Sequence, residues 1–327
     1  MTAAARARLA HRAHGVCLAL LAICAITLAP GCAATATAGD GATATELAPG
    51  VFMVRGSGGA AEPANLGRIG NAGFIVGDSG VIAIDTGTSY RHGQALLARI
   101  AQTTDKPVKL ALITHVQPEF LFGANAFRER GIPIRMHREA ASLMAARCES
   151  CLKNLKLTLG DEAMVGTTMF RPDEVFDQTH TLSQWGRAVR VIYLGHSSGP
   201  GAVAVLDERS GVLFAGGLLD EHRIPDVLDS DLAGWGDALA RLRELPIRRI
   251  VPGHGRATTA AAVDAVARYL SGLQTRVAEL LAAGASLSEA PEAASLPDFA
   301  TWDQYDTIHR RNASIVYVRL ERELLYK

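Results

Sequence analysis

The sequence predicts an α/β fold in which two sheets pack face to face with helices on the outside, a four-layer αββα sandwich. Short β-branched runs alternate with stretches of helical periodicity, the alternation runs through the chain twice, and each pass offers strands that helices can cover on one side. Periodicity reports element type and not strand pairing, so a doubly wound parallel sheet is also admitted at this point.

The chain opens on an address. Arg6, Arg8, His11 and Arg12 precede an apolar run over 16–28, followed by Pro30, Gly31, Cys32 and a string of Ala and Thr. This is the layout of a secretory leader over 1–31. The run of about 13 residues falls short of the roughly 20 that a membrane-spanning helix needs. Two cleavage readings stand: ordinary processing near Ala34-Thr35-Ala36, or lipoprotein processing at Cys32, because Ala29-Pro30-Gly31-Cys32 resembles a lipobox. The expected location is therefore the periplasm, with membrane association only through the leader or a lipid on Cys32. The stretch 32–45 reads as a flexible linker and 46–327 as one folded domain.

Within that domain the first pass places strands over 51–54, 73–76, 81–84 and 108–113, with Gly77-Asp78-Ser79-Gly80 as a hairpin turn. Helical spacing covers 90–103 and 120–130, a strand covers 132–136, and a longer helix runs from 138 to about 157. The second pass gives strands over 188–194, 202–206 and 212–215, a helix over 232–245, a strand over 247–251 and helices beyond 258. The segment 301–327 reads as a terminal helix docked on the outside.

Composition narrows the function. Hydrophobic residues make up 48% and charged residues 20%, a globular balance, and Lys+Arg equals Asp+Glu at 33 each. Removing the leader takes three arginines and no acid, which leaves 30 basic against 33 acidic residues. No basic run is available to grip a phosphate backbone, so nucleic acid is not an expected partner. Cys17 and Cys24 belong to the leader, and the domain keeps only Cys148 and Cys151. A thioredoxin-like pair needs its first Cys at a helix N-terminus, whereas this pair falls inside the helix over 138–157, and no second pair exists to build a zinc knuckle. The spacing points to a local Cys148–Cys151 disulfide.

Several segments then line up in order: Gly70-Asn71-Ala72-Gly73-Phe74, Ile84-Asp85-Thr86-Gly87, Thr114-His115-Val116-Gln117-Pro118-Glu119-Phe120, Gly195-His196-Ser197-Ser198-Gly199, Leu213-Phe214-Ala215-Gly216-Gly217 and Pro252-Gly253-His254-Gly255. From about residue 46 onward the chain resembles the metallo-β-lactamase superfamily, and within it the exported proteins associated with quinoprotein and sulfur-oxidation systems. The resemblance implies the αββα sandwich, hydrolysis of a small ester, thioester or amide-type bond, and zinc held by an HxHxDH loop with later His and Asp ligands. It also implies a quinoprotein or other periplasmic partner.

Carried over position by position, His115, His196 and His254 match family ligands, and Asp85 matches an acid that orients a ligand. Gln117 and Phe120 replace histidines, Glu119 replaces the loop Asp, and Gly217 replaces the bridging Asp. A neutral amide is a poor zinc donor beside imidazole, and phenylalanine and glycine side chains donate nothing. The dinuclear centre is therefore expected to be lost, with at most one zinc ion held by His115, His196, His254 and Glu119. Asp220, Glu221 and His222 read as surface polar residues that a rearranged turn would have to bring inward. Two functions follow: a hydrolase with a mononuclear or metal-free centre using Glu119 as general base, or a non-catalytic binding or accessory protein that takes a ligand in the cleft.

Overall fold

The computed structural model describes residues 43–326. The leader over 1–31, Cys32 and most of the linker stretch lie outside the described residues. In chain order the elements are β1 (Ala44–Ala48), β2 (Val51–Val54), β3 (Ala72–Val76), β4 (Val81–Ile84), α1 (Tyr90–Thr103), β5 (Val108–Leu112), α2 (Pro118–Leu121), α3 (Ala124–Arg128), β6 (Ile134–His137) and α4 (Arg138–Leu159). They continue with β7 (Glu174–Phe176), β8 (His180–Leu182), β9 (Val189–Tyr193), β10 (Val203–Asp207), β11 (Val212–Gly216), α5 (Leu232–Arg243), β12 (Arg249–Pro252), α6 (Ala261–Ala282), α7 (Ala290–Ala293) and α8 (Arg310–Leu325).

One sheet has the order β1-β2-β3-β4-β5-β6-β7 and the other β12-β11-β10-β9-β8. The first is antiparallel from β1 to β4 and parallel from β4 to β7. In the second only β11 and β12 run parallel. Side-chain alternation explains the layers. Ile82 and Ile84 of β4, with Leu110 and Leu112 of β5, pack against Val189, Val191, Val203 and Val205 of the second sheet. The alternate residues Val81, Ala83 and Ala111 turn outward beneath α1, α3 and α4. On the far side Ala204 and Leu206 of β10, with Leu213 and Ala215 of β11, face α5, α6 and α8 around Trp235 and Tyr269. Arg187 fastens the sheets together: its guanidinium pairs with buried Asp207 at 2.6 and 2.8 Å and donates to the carbonyls of Pro49 and Val76.

The αββα sandwich is thus the observed architecture, and the doubly wound alternative falls because two separate sheets form. The helix expected over 120–130 is instead α2 and α3, broken at Phe122-Gly123. A Cβ at Gly123 would overlap the Thr86 carbonyl, so close packing against the chain after β4 interrupts the helix there. The short strands β7 and β8 add to those the sequence predicts; Glu174 and Val175 are exposed and leave little apolar alternation to read. Among the described residues no helix is long and apolar enough to cross a membrane.

Candidate functional site

The segments that follow β4, β5, β11 and β12 meet at one end of the sandwich. Asp85, directly after β4, takes a left-handed backbone (φ 58°), a conformation that Asp tolerates better than most residues. Its carboxyl accepts the Thr114 backbone N–H at 2.8 Å and faces the Thr114 hydroxyl at 2.9 Å. Burial pushes the Asp85 carboxyl up to about 7, against the lowering effect of those Thr114 bonds. Thr114 Oγ1 lies 2.8 Å from His115 Nδ1, and the Gly217 N–H donates to the same nitrogen at 3.2 Å. Nδ1 is therefore the lone-pair nitrogen, and Nε2 carries the proton that it donates to Gln117 Oε1 at 3.2 Å. Burial pushes His115 down to about 4.

His254, in the turn after β12, is held from both sides. Nδ1 lies 2.8 Å from Asp220 Oδ1, and Nε2 lies 3.1 Å from Glu119 Oε1. Burial works against the charged imidazolium, but the two carboxylates outweigh it and raise His254 above the usual histidine value. Burial likewise works against an ionised Glu119, and the His254 hydrogen bond and charge reverse the effect and lower it. Asn71 braces the turn by donating to the carbonyls of Pro252 and Gly255 at 2.8 and 3.2 Å. This gives the Gly-Asn-Ala-Gly segment a structural reason.

Phe120 fills the centre. It is fully buried, its ring centroid is 4.3 Å from that of His115 and 5.2 Å from that of His254, and it rests on the open side of Gly70. The structure thus brings His115, Gln117, Glu119, Phe120, Gly217, His254 and Asp85 into one cluster. It does not bring in His196, which is exposed and whose Nε2 lies 2.7 Å from the Asp229 carbonyl.

Asp220 corrects the sequence reading. It is buried, and one carboxylate oxygen accepts from both the His254 backbone N–H and the imidazole. The available signal was the apolar pair Leu218-Leu219 just before it, both fully buried, which carries the chain inward before the polar run begins. His222, by contrast, is exposed. The expected Cys148–Cys151 disulfide is also corrected: both are free thiols. Residues three apart on a regular helix hold their Cβ atoms about 5–6 Å apart, whereas a disulfide wants about 3.5–4.5 Å, and Cys151 instead contacts the Arg147 carbonyl at 3.6 Å.

His115 and Gln117 line a cavity of about 360 Å3 that also receives Gly217, Arg147, Cys148 and Cys151. Its size is that of a small-molecule pocket. His254 faces a different cavity, of about 400 Å3, with Arg55, Arg223 and Asp303. Residues of this kind fit zinc only with imidazole lone pairs free to converge. Here the His115 lone pair takes the Gly217 N–H, both His254 nitrogens face carboxylates, and a phenyl ring separates the two imidazoles. Among the described residues no group of three or more His, Cys, Asp or Glu side chains is arranged to hold a metal ion. The side chains in this arrangement do not fit the family's zinc pair.

The sequence profile of the metallo-beta-lactamase superfamily matches residues 66–254, and the chain belongs to that superfamily. The match runs from the loop before β3 to His254 itself, so it covers β3 to β12 and the whole cluster. Among solved structures the chain is similar to a metallo-beta-lactamase from Pontibacter korlensis, with TM-score 0.59 and 21% identity over 70% of this chain and 99% of that one. It is also similar to TMB-1, with TM-score 0.56 and 14% identity over 71% of this chain and 97% of that one. Both likenesses concern the fold. A curated relative, the linear primary-alkylsulfatase of Pseudomonas sp. (strain ATCC 19151), is 23% identical over 216 residues, 56% of this chain and 41% of the relative. The match therefore spans less than half of that enzyme's length.

Proposed function

We propose that this chain is an exported member of the hydrolase superfamily with a degraded metal centre, and that its cleft binds a small molecule without two-metal hydrolysis. The observation that carries the reading is the Phe120 ring packed against His115 and His254, whose nitrogens are already committed to other partners. Two-metal hydrolysis needs an open coordination position and a metal-lowered water pKa, and this cluster offers neither. Glu119 could serve as a metal-free general base only with a carboxyl tuned upward toward neutrality, and here it is lowered and tied to His254. The cleft is the part left to function, as an accessory or binding site within a periplasmic assembly such as a quinoprotein system.

A second reading has the alkylsulfatase relative behind it: slow cleavage of a sulfate ester in the same cleft. One panel separates the two. The purified chain is offered generic esters, thioesters and dodecyl sulfate, while binding of each is followed by native mass spectrometry. The proposed reading expects retained ligand and no turnover above buffer. Turnover that disappears in a His115→Ala, His254→Ala double variant would establish the hydrolase instead.

A further inference from the structure

The cavity that His254 faces carries charges that the degraded centre does not use. It measures about 400 Å3, is bounded by the loop after β2, the stretch between β11 and α5, the turn after β12 and Asp303, and shares no lining residue with the His115 cavity. Arg223 is its buried cation, with a side chain only 7% exposed. Nη1 donates to the Gly59 carbonyl at 2.8 Å and to Asp303 Oδ2 at 2.6 Å, and Asp303 also accepts the Gly59 N–H and the Gln304 amide. The Nε and Nη2 donors of Arg223 have no protein partner among the described residues, and neither is sealed from solvent. Arg55 and Arg256 line the same cavity, are exposed, and have no ion pair or side-chain hydrogen bond among the described residues. The acids present are Asp303, taken by Arg223, and Glu221, whose Oε1 lies 3.4 Å from His222 Nε2. Three guanidinium groups therefore outnumber two carboxylates, and the cavity has an excess of positive charge.

We propose that this cavity binds a small organic oxyanion, a carboxylate or a phosphate ester, with Arg223 as the fixed donor and Arg55 and Arg256 meeting the anion from the exposed rim. A guanidinium fork matches the paired oxygens of either group, and such charge-assisted bonds are stronger than neutral ones. The Asp303 and Gly59 contacts hold the Arg223 guanidinium in place before a ligand arrives, so little of its freedom remains to be lost on binding. The volume is that of a small-molecule pocket, which leaves room for a carbon skeleton beside the anionic group. Because the two cavities share no lining residue, binding here is independent of what the His115 cleft holds.

Inorganic phosphate and succinate are titrated separately into the isotope-labelled chain at constant ionic strength in chloride, and backbone amide shifts are followed by NMR. Saturable shifts over 55–59, 221–223 and 254–256 are expected, and the tighter of the two ions assigns the ligand as phosphate ester or carboxylate. The dissociation constant should rise at least about tenfold in the Arg55→Ala, Arg256→Ala double variant, which removes two charge-assisted contacts. Arg256→Glu, which reverses one charge, should weaken binding more than Arg256→Ala. Both side chains are exposed, so these variants should keep the wild-type urea midpoint. The wild-type shift map and the Arg256→Glu titration decide the matter even where the double variant loses stability. No saturation by either ion at millimolar concentration, shifts centred on 115–118, or an affinity unchanged in the variants overturns the proposal.

Discussion

Asp220, His254 and Glu119 form a buried chain in which His254 bridges the two acids, so removal of either acid leaves one imidazole nitrogen without its partner. Asp220→Ala leaves the His254 imidazole Nδ1 and the His254 backbone N–H without their partner and opens a polar void. A loss of about 3–5 kcal/mol is expected for a broken buried pair, read as a lower urea midpoint, with Asp220→Asn milder. His115 sets an acid limit. Its folded value of about 4 lies below the unfolded 6.5, so between those values the unfolded chain binds the proton that the native chain refuses. Stability then falls as pH drops through that window, by roughly 3 kcal/mol in full. His254 acts in the opposite direction: its value is raised, so its contribution is complete below the unfolded value and is lost as pH rises through the folded one. Urea melts at pH 6.5 and 4.5 should show a smaller acid loss in His115→Gln than in the wild type. Gly217→Asp would restore the family's acid at that position, yet its Cβ would lie 2.6 Å from His115 Cδ2. That substitution is expected to destabilise by about 1–3 kcal/mol, as overpacking does, and to add no zinc in a metal assay.

The roof of the His115 cavity depends on α8. Asn312 is fully buried and donates to the Pro225 carbonyl at 2.7 Å and to Tyr269 Oη at 3.0 Å, while Arg319 donates to the carbonyls of Val227 and Leu228. These bonds hold the stretch that carries Asp226 and Asp229 over the cleft. Asn312→Ala leaves a buried carbonyl and the Val227 N–H unpartnered, and at about 1–3 kcal/mol for such groups it should lower the thermal midpoint and speed amide exchange over 225–231. Strands were legible where β-branched runs alternate or are buried on both faces, as in β4 and β10. The α2–α3 break was not, because it comes from a contact between Gly123 and the chain after β4, distant in sequence. The same holds for Asp220, whose inward turn depends on its pairing with the segment after β12.

At the scale of the whole molecule, the sandwich joins two sheets whose strand ends place the former ligand positions together, and the motifs marking those ends were readable in order along the chain. What the sequence did not carry was orientation. Three histidines that each match a family motif are turned differently: those at 115 and 254 point into the cluster, and the one at 196 points toward a backbone carbonyl. Hydrogen-bond partners, not residue type, decide that. The central claim is that the superfamily's metal centre has become a closed hydrogen-bonded cluster around Phe120. Inductively coupled plasma analysis of tag-free protein, after equilibration with zinc and gel filtration without chelator, tests it most directly. Less than about a tenth of an equivalent is the predicted result for a site lacking free ligands, whereas one equivalent or more that disappears in His254→Ala would contradict it.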